Sequence, residues 1–536
     1  MTYLDHRYCT PNIFLGLVFI CLIFSACTAA WDLEEDPGKS QLAALPYENM
    51  TELEWAVTGT YNRLWSALRM NTAFATAWSG DDLTTARASA KADFREFDQR
   101  TVSEGNTRIS NTWRSVFQAI RAANNVLKNA AETNLADRVA QDQLVGEIYF
   151  IRGFLFHHLS RNHGRIPLVL DVFPDFDIGL ASQEEVYLQI ESDFLKAEAM
   201  LPVSSTLGAT RPNAGSARAF LARLYLDWAG FPLKDNTKYA QAASSAKQVI
   251  DEASDHGFGL VEDMASLYTV AGSRNTEGVF TLAHCEPCGF GNRKYGKLGL
   301  TGQFGGWQES YAEIRFFEDF PEGPRKEATY HTHIPLDANG KITADVVNAE
   351  RLLPWTSFRG QQNPIFRKIV GPFEEGDFDR FQTSRSDYLM RYAEVLLIYA
   401  EAAGRSGSVP TSAWEALNQV RRRAEGLPVH TPDPNVDLSD ADGAIEELAY
   451  LEKKWELAGE FLRWYDLVRL ERVEEALGGT ARDPQQSIGT IFDANGNSAP
   501  FRLRVPSVPI LGPLGTDTYF QPIPPGEVLL LPNLGG

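Results

Sequence analysis

Apolar residues recur at helical spacing along much of the chain. In the clearest stripes they occupy positions i, i+3, i+4, i+7, i+8 and i+11, so they share one face of an α-helix that packs on a core. Weaker stripes indicate further helices near 184–200, 238–252, 411–426 and 442–474. The sequence therefore predicts a mainly α fold. The two clearest stripes are Ala217, Phe220, Leu221, Leu224, Tyr225 and Trp228, and Leu389, Tyr392, Ala393, Leu396, Leu397 and Ala400.

The predicted helices follow one another in pairs joined by short loops. Helix pairs that stack in this way form solenoids such as tetratricopeptide repeats. No repeat of fixed length is evident, so we expect a tetratricopeptide-repeat-like superhelix with irregular units. Its scaffold is predicted to comprise about 47–254 and 386–475, within a single domain of residues 47–536.

The section between the two helical parts, about 255–385, has a different composition. It is rich in Gly, Pro, Phe and Trp, and Gly-containing segments such as 302–307 (G-Q-F-G-G-W) interrupt it. Ordered irregular loops are where binding residues tend to lie. We expect a large loop-rich insertion that binds the ligand, followed by an extended C-terminal tail at 476–536.

The N-terminal segment carries a targeting pattern. Residues 13–24 are an unbroken apolar run, which is too short to span a bilayer comfortably and is typical of a signal-peptide core. Ser25 and Ala26 precede Cys27 and are similar to a bacterial lipobox, in which the Cys thiol is acylated. We predict a lipoprotein signal peptide at 1–26, lipidation at Cys27 and an acidic tether at 27–46.

Charge and composition exclude several classes of function. The formal net charge of −20 disfavours binding to nucleic acid and to anionic lipid surfaces. Neither a P-loop nor a dinucleotide-binding fingerprint occurs, so no nucleotide cofactor is predicted. The chain has 11 Trp and 18 Tyr, and exposed rings are a common means of gripping sugars or peptides.

Two cysteines remain in the body of the chain after the predicted lipid carrier. Cys285 and Cys288 form a C-x-x-C motif, but no second pair of zinc ligands lies at suitable spacing. In a redox site a helix begins at the motif, whereas here Gly289 and Phe290 follow it. We predict a local disulfide in an oxidising compartment and no metal site.

Four motifs in order along the chain resemble the SusD/RagB family of outer-membrane nutrient-binding lipoproteins. They are 391–397 (R-Y-A-E-V-L-L) with 399–402, 417–421 (L-N-Q-V-R) with Arg423 and Ala424, 456–460 (E-L-A-G-E) with Arg463 and 466–469, and 522–524 (P-I-P) with Glu527 and Asn533. The resemblance implies a lipid-anchored, surface-exposed protein of the cell outer membrane. Such a protein binds an oligosaccharide or polysaccharide and delivers it to a SusC-like TonB-dependent transporter.

Two alternatives to glycan capture stay open. The same scaffold could bind peptides or another nutrient, or the protein could be a surface glycoside hydrolase. A hydrolase needs a carboxylic acid with a raised pKa, whereas adjacent arginines lower carboxylate pKa values. We therefore interpret the charged residues of the motifs as a structural ladder along helix faces. This ladder consists of Arg391, Glu394, Glu456, Glu460, Arg463, Asp466 and Arg469.

Ligand contacts are predicted where rings lie in turn-rich segments. Asp81 and the adjacent Asp82 are the acids that best fit an enzyme, because their loop contains no arginine before Arg87. The resemblance implies a shallow surface site of rings and polar groups that differs between family members. The predicted contacts are Trp78, Asp81, Trp307, Tyr311 and Trp355.

Overall fold

Helices dominate the described chain on both sides of the middle section, which confirms the mainly α prediction. The computed structural model describes residues 45–86, 91–359, 362–484, 490–492, 498–500 and 508–535. Cys27 and the predicted signal peptide lie outside the described residues. Residues Tyr47–Gly536 form one compact unit.

The helices before the middle section are α1 (Met50–Leu68), α2 (Ala92–Asp98), α3 (Thr107–Ala131), α4 (Arg138–His163), α5 (Gln183–Met200), α6 (Ala214–Trp228), α7 (Thr237–Asp251) and α8 (Ala253–His256). The middle section holds α9 (Ile314–Asp319), α10 (Pro324–Thr329) and α11 (Arg367–Val370). The later helices are α12 (Tyr392–Arg405), α13 (Thr411–Ala424), α14 (Ile445–Glu456), α15 (Arg463–Arg469), α16 (Val473–Leu477) and α17 (Pro525–Leu530).

The long helices pack in sequence order. Helix α1 packs on α3, and α3 to α7 each pack on the next. Helix α7 then packs on α12, which also contacts α13 and α14. This successive stacking is the arrangement expected of a tetratricopeptide-like superhelix, and the predicted stripes of α6 and α12 face its core.

Polar side chains define where several of these helices begin. The Asn49 side chain accepts a 3.0 Å hydrogen bond from the Glu52 amide at the start of α1. Ser182 and Glu185 form a reciprocal capping box at the start of α5. These contacts satisfy amide groups that the first helical turn leaves without partners.

The middle section is built from short strands and 3₁₀ turns. Strand β2 pairs antiparallel with β8, so the two ends of the section lie side by side. Strand β1 pairs with β3, β4 with β7, β5 with β6 and β9 with β10, each as a two-stranded ribbon. The strands are β1 (Leu83–Thr84), β2 (Gly278–Leu282), β3 (Tyr311–Ala312), β4 (Tyr330–His331), β5 (His333–Leu336), β6 (Arg351–Pro354), β7 (Ile365–Phe366), β8 (Asp387–Arg391), β9 (Thr490–Phe492) and β10 (Ser498–Pro500).

The continuous helix predicted near 442–474 is wrong. Helix α14 ends at Glu456 and α15 begins at Arg463. Between them Gly459 and Phe461 adopt positive φ values of 75° and 64°. The left-handed conformation ends a helix, so the chain turns here and the charged residues of the third motif occupy two helices and a turn.

Candidate ligand-binding surface

The motif charges form a buried network rather than a ladder on one helix. Arg391 pairs with Glu277, Glu456 and Glu460, and Arg423 pairs with Glu277 and Glu456. Burial favours the neutral acid, but Arg391 and Lys368 outweigh it and lower the pKa of Glu460 to about 2. Low pKa values suit a structural ion network, as the sequence analysis predicts, and do not suit a general acid.

Arg463 pairs with Asp81, which lies in the N-terminal part of the described chain. This pairing differs from the prediction that Arg463 pairs with acids of the third motif. The Arg463 Nε donates a 2.6 Å hydrogen bond to Asp81 Oδ1, and both side chains are almost fully buried. Burial alone raises the pKa of Asp81, but Arg463 and Lys454 lower it below its usual value. Asp81 is therefore an interior ion-pair partner and not a ligand contact.

Asp82 is buried beside Asp81. Its Oδ2 accepts a 2.9 Å hydrogen bond from the Gly459 amide, and burial raises its pKa to about 6. A raised pKa is what a general acid needs, but a carboxyl group with 1 % exposure has no access to a polymeric substrate.

The remaining motif charges also have long-range partners. Arg469 pairs with Glu401 on α12 and with Asp466 on its own helix. Glu394 pairs with Arg223 on α6, through a 2.8 Å contact from Arg223 Nε, and not with the neighbouring Arg391. These pairs connect α12 to α15 and to α6.

Three of the predicted ligand rings are core residues. Trp78 is fully buried, stacks against Phe94 and donates its indole N–H to the Glu309 carbonyl oxygen at 2.9 Å. Tyr311 and Trp355 are also buried within the middle section. Helical and turn context could not separate these rings from exposed ones, because burial depends on contacts with distant segments.

Trp307 lies on the surface, where 42 % of it is exposed. Its ring meets the edge of Phe381, which is 38 % exposed, at a centroid distance of 4.8 Å. Lys91 Nζ lies 4.4 Å from the centre of the indole, and Lys297 Nζ lies 5.1 Å from the centre of the phenyl ring. Two open rings flanked by polar groups can stack on one ligand and hydrogen-bond to it.

A second ring-bearing element lies close to this pair in the chain. Cys285 and Cys288 are joined in a disulfide, and the Cys285 amide donates to the Phe290 carbonyl oxygen at 2.9 Å. The tight loop presents Phe290 with 42 % exposure against Trp65 at the end of α1, at a centroid distance of 5.0 Å.

Backbone hydrogen bonds connect the two elements into one surface. Asn292 and Thr383 exchange hydrogen bonds of 2.8 and 3.1 Å, and the Lys297 amide donates to the Arg380 carbonyl oxygen at 3.0 Å. The Trp307 amide in turn donates to the Lys297 carbonyl oxygen at 3.1 Å. We call this surface the aromatic face, and it comprises Trp65, Phe290, Trp307 and Phe381 with Arg69, Lys91, Arg293 and Lys297.

The sequence analysis found only Trp307 among the rings of the aromatic face. Phe290 follows the C-x-x-C motif closely, but the sequence does not indicate that its ring is exposed. Trp65 lies in a helical segment, and Phe381 lies in a loop with no periodic signal. The pairing of residues 290–297 with 380–383 brings these rings together, and no spacing along the chain reveals it.

A separate open cleft of about 560 Å³ lies in the middle section. It contains none of the residues predicted as ligand contacts. Among its lining residues are Phe317, Tyr330, His331, Arg367 and Phe373. In the part of the chain that the structure describes, no group of His, Cys, Asp and Glu side chains is placed to hold a metal ion. No helix of the described ranges has the length and apolarity needed to cross a membrane.

Comparisons with known proteins match almost the whole described chain. A family model described as "SusD family" matches residues 356–535, and one described as "Starch-binding associating with outer membrane" matches residues 47–226. SusD-like protein P2 of Formosa agariphila is 26% identical over 515 residues, which cover 89% of this chain and 94% of the relative.

Solved structures share the fold. A SusD superfamily protein from Parabacteroides distasonis superposes with a TM-score of 0.71 at 20% identity, covering 90% of this chain and 98% of the other. A laminarin-binding SusD-like protein superposes with a TM-score of 0.66 at 23% identity, again over 90% and 98% of the two chains.

The stacked helices and the loop-rich middle section define a tetratricopeptide-like scaffold that carries an exposed aromatic face. With both family models matched in order on this scaffold, the chain belongs to the SusD/RagB family. The resemblance drawn from the four sequence motifs is thereby confirmed.

Proposed function

We propose that the protein binds an oligosaccharide at the aromatic face and delivers it to a SusC-like TonB-dependent transporter, without cleaving it. The observation that carries the proposal is the exposed pair of Trp307 and Phe381 among charged side chains. The C–H face of a pyranose stacks on such rings, while its hydroxyls need polar partners. One of the superposed structures supports this choice, since it is a laminarin-binding SusD-like protein.

The site geometry suits weak and reversible capture. One stacked ring contributes about 1–2 kcal/mol in a partly wet site, so affinities between about micromolar and millimolar follow. A receptor that hands its cargo to a transporter must release it, and an open surface permits this. Membrane attachment through a lipid on Cys27 completes the proposal, and mass spectrometry of the mature N-terminus tests that part.

Replacing the exposed indole should weaken glycan binding. We expect Trp307→Ala to lower the affinity for a bound oligosaccharide about 5- to 30-fold, the equivalent of one lost stack, in calorimetry on a panel of glycans. Trp55→Ala is the matched control, because Trp55 is 70 % exposed on α1 and lies ten residues from Trp65. It should bind like the parent protein.

The same experiment separates the alternatives. Equal affinity of the parent and Trp307→Ala would remove the aromatic face as the site. Binding of peptides in place of every glycan on the panel would favour the alternative nutrient. Cleavage products that disappear in Asp82→Asn would assign the protein to the glycoside hydrolases.

A further inference from the structure

Two arginines on the aromatic face lack partners. Arg69 and Arg293 are both partly exposed, and the Arg293 amide donates to the Arg69 carbonyl oxygen at 2.9 Å. Within the described ranges, neither guanidinium forms an ion pair or donates a hydrogen bond to a protein acceptor. The Arg69 guanidinium carbon lies 4.8 Å from the centre of the Trp65 ring.

This arrangement is unfavourable unless a negative group is bound. Two like charges held close together repel each other, and the effect is larger where burial reduces screening. Burial, together with the Arg293 charge, lowers the pKa of Arg69. The chain has 70 acidic residues against 50 basic ones, yet no described carboxylate is placed against this pair.

The other cations of the aromatic face differ in this respect. Lys91 pairs with Glu309, and Lys297 pairs with Asp379 at 3.0 Å. Among the described residues of this surface, the two arginines are therefore the cations without a paired carboxylate. The Arg69 guanidinium carbon lies over the Trp65 ring, and guanidinium N–H groups are the donors that bind carboxylate and sulfate.

The unpaired charge lies within reach of the exposed rings. Four residues separate Arg293 from Lys297, so their Cα atoms are at most about 14 Å apart. The Trp307 amide is hydrogen-bonded to Lys297. One short oligosaccharide can therefore stack on Trp307 or Phe381 and present a charged substituent to the arginines.

We infer that the ligand of the aromatic face is an anionic glycan, whose carboxylate or sulfate groups bind Arg69 and Arg293. This inference rests on the proposed function and narrows its substrate class. Carboxylate and sulfate share the chemistry that the guanidinium edges recognise, and the test below distinguishes these two sources of charge.

The test compares pairs of probes that differ only in charge. One pair is an oligogalacturonate and its methyl ester, and the other is a sulfated glucan oligosaccharide and the unsulfated parent sugar. We expect the protein to bind the charged member of one pair at least about tenfold more tightly at low salt, and the preferred pair identifies the anion. The preference should shrink as salt increases, because salt screens exposed charges.

Arg69→Gln/Arg293→Gln should abolish this preference, so that the charged and the neutral member of the pair bind with equal affinity. Arg274→Gln/Arg351→Gln is the control, since it removes the same charge from two exposed arginines on other segments and should keep the preference. Thermal unfolding is the folding control: a variant whose unfolding temperature equals that of the parent protein is folded.

Three results would overturn the inference. Equal binding of charged and neutral members would reject the anionic class and leave glycan binding intact. A preference that survives in the Arg69→Gln/Arg293→Gln variant would reject the two arginines as the groups that bind the anion. If the protein binds no sugar of either pair and none of the neutral panel, the proposed function is itself wrong and the inference falls with it.

Discussion

Single buried charges in this protein find their partners in distant parts of the chain. Asp81 and Arg463 are separated by 382 positions in the sequence and still form a buried ion pair. The sequence showed that the motif acids have cations nearby, from which a structural role is predicted. It could not assign the pairs, because each depends on which helices are neighbours in the superhelix.

Removing Arg463 should therefore destabilise the fold through Asp81. Arg463→Ala removes the hydrogen-bonded cation of a buried carboxylate and leaves the more distant Lys454, at 3.8 Å, which costs about 3–5 kcal/mol in the free energy of unfolding. Denaturant unfolding of the purified protein measures the change. Asp81→Asn in the Arg463→Ala background should recover part of the loss, because it removes the uncompensated charge.

Arg315→Ala provides the comparison. Arg315 pairs with Asp319 one turn away on α9, and each side chain is 34% exposed. Such a surface pair contributes less than about 1 kcal/mol. A similar loss of stability in both variants would show that burial of the Asp81–Arg463 pair is not what makes it important.

The turn between α14 and α15 shows what helical periodicity leaves undetermined. Apolar and charged spacing continues through 442–474, so the pattern predicts one helix, and Gly459 carries the only local hint of a break. The same limit applies to β2 and β8, whose pairing joins residues that are far apart in sequence. The existence and type of the long helices were predictable, whereas breaks and ribbons depend on tertiary contacts.

Gly459→Ala should be more disruptive than an ordinary glycine substitution. The residue has a φ of 75°, and an added Cβ would lie 2.7 Å from the ring of Phe366. The backbone conformation alone costs about 1–2 kcal/mol for an L-residue, and overpacking adds about 1–3 kcal/mol. The loss should be visible as a lower denaturant midpoint.

Gly257→Ala isolates the backbone contribution. Gly257 has a φ of 78°, and a Cβ there would meet nothing within 4 Å. The difference in unfolding free energy between the two variants measures the contact with Phe366. Equal losses would mean that the ring moves aside without cost.

At the scale of the whole molecule, one charge network links the middle section to the later helices. Arg391 ends strand β8, and Glu456 ends α14. Glu460 lies in the turn before α15, and Lys368 reaches it at 2.8 Å from α11. The aromatic face lies outside this network. The superhelix could be predicted from periodicity and from the family resemblance, but of the ligand surface only Trp307 was predicted.

Acid should unfold the protein by protonating this network. The pKa of Glu460 falls from 4.5 to about 2 on folding, so its ionised form contributes about 3 kcal/mol above pH 4.5. That contribution is lost as the pH falls from 4.5 through 2. Glu460→Gln should therefore be less stable at neutral pH, and its stability should depend less on pH across this window.

Unfolding curves recorded from pH 7 to pH 2 measure this dependence. Glu54→Gln, at an exposed position on α1, should follow the parent curve. A Glu460→Gln profile parallel to that of the parent would show that other groups control the acid transition.

The motifs that identify the family supply much of the buried network, and this limits what homology can predict about the ligand. Arg391, Arg423, Glu456 and Glu460 come from three of the four motifs, and all of them are turned away from solvent. The rings and arginines of the aromatic face come from none of these motifs. Two relatives can thus share every residue of the motifs and still bind different ligands. Homology detected through the motifs therefore predicts the fold, whereas the ligand depends on the exposed surface.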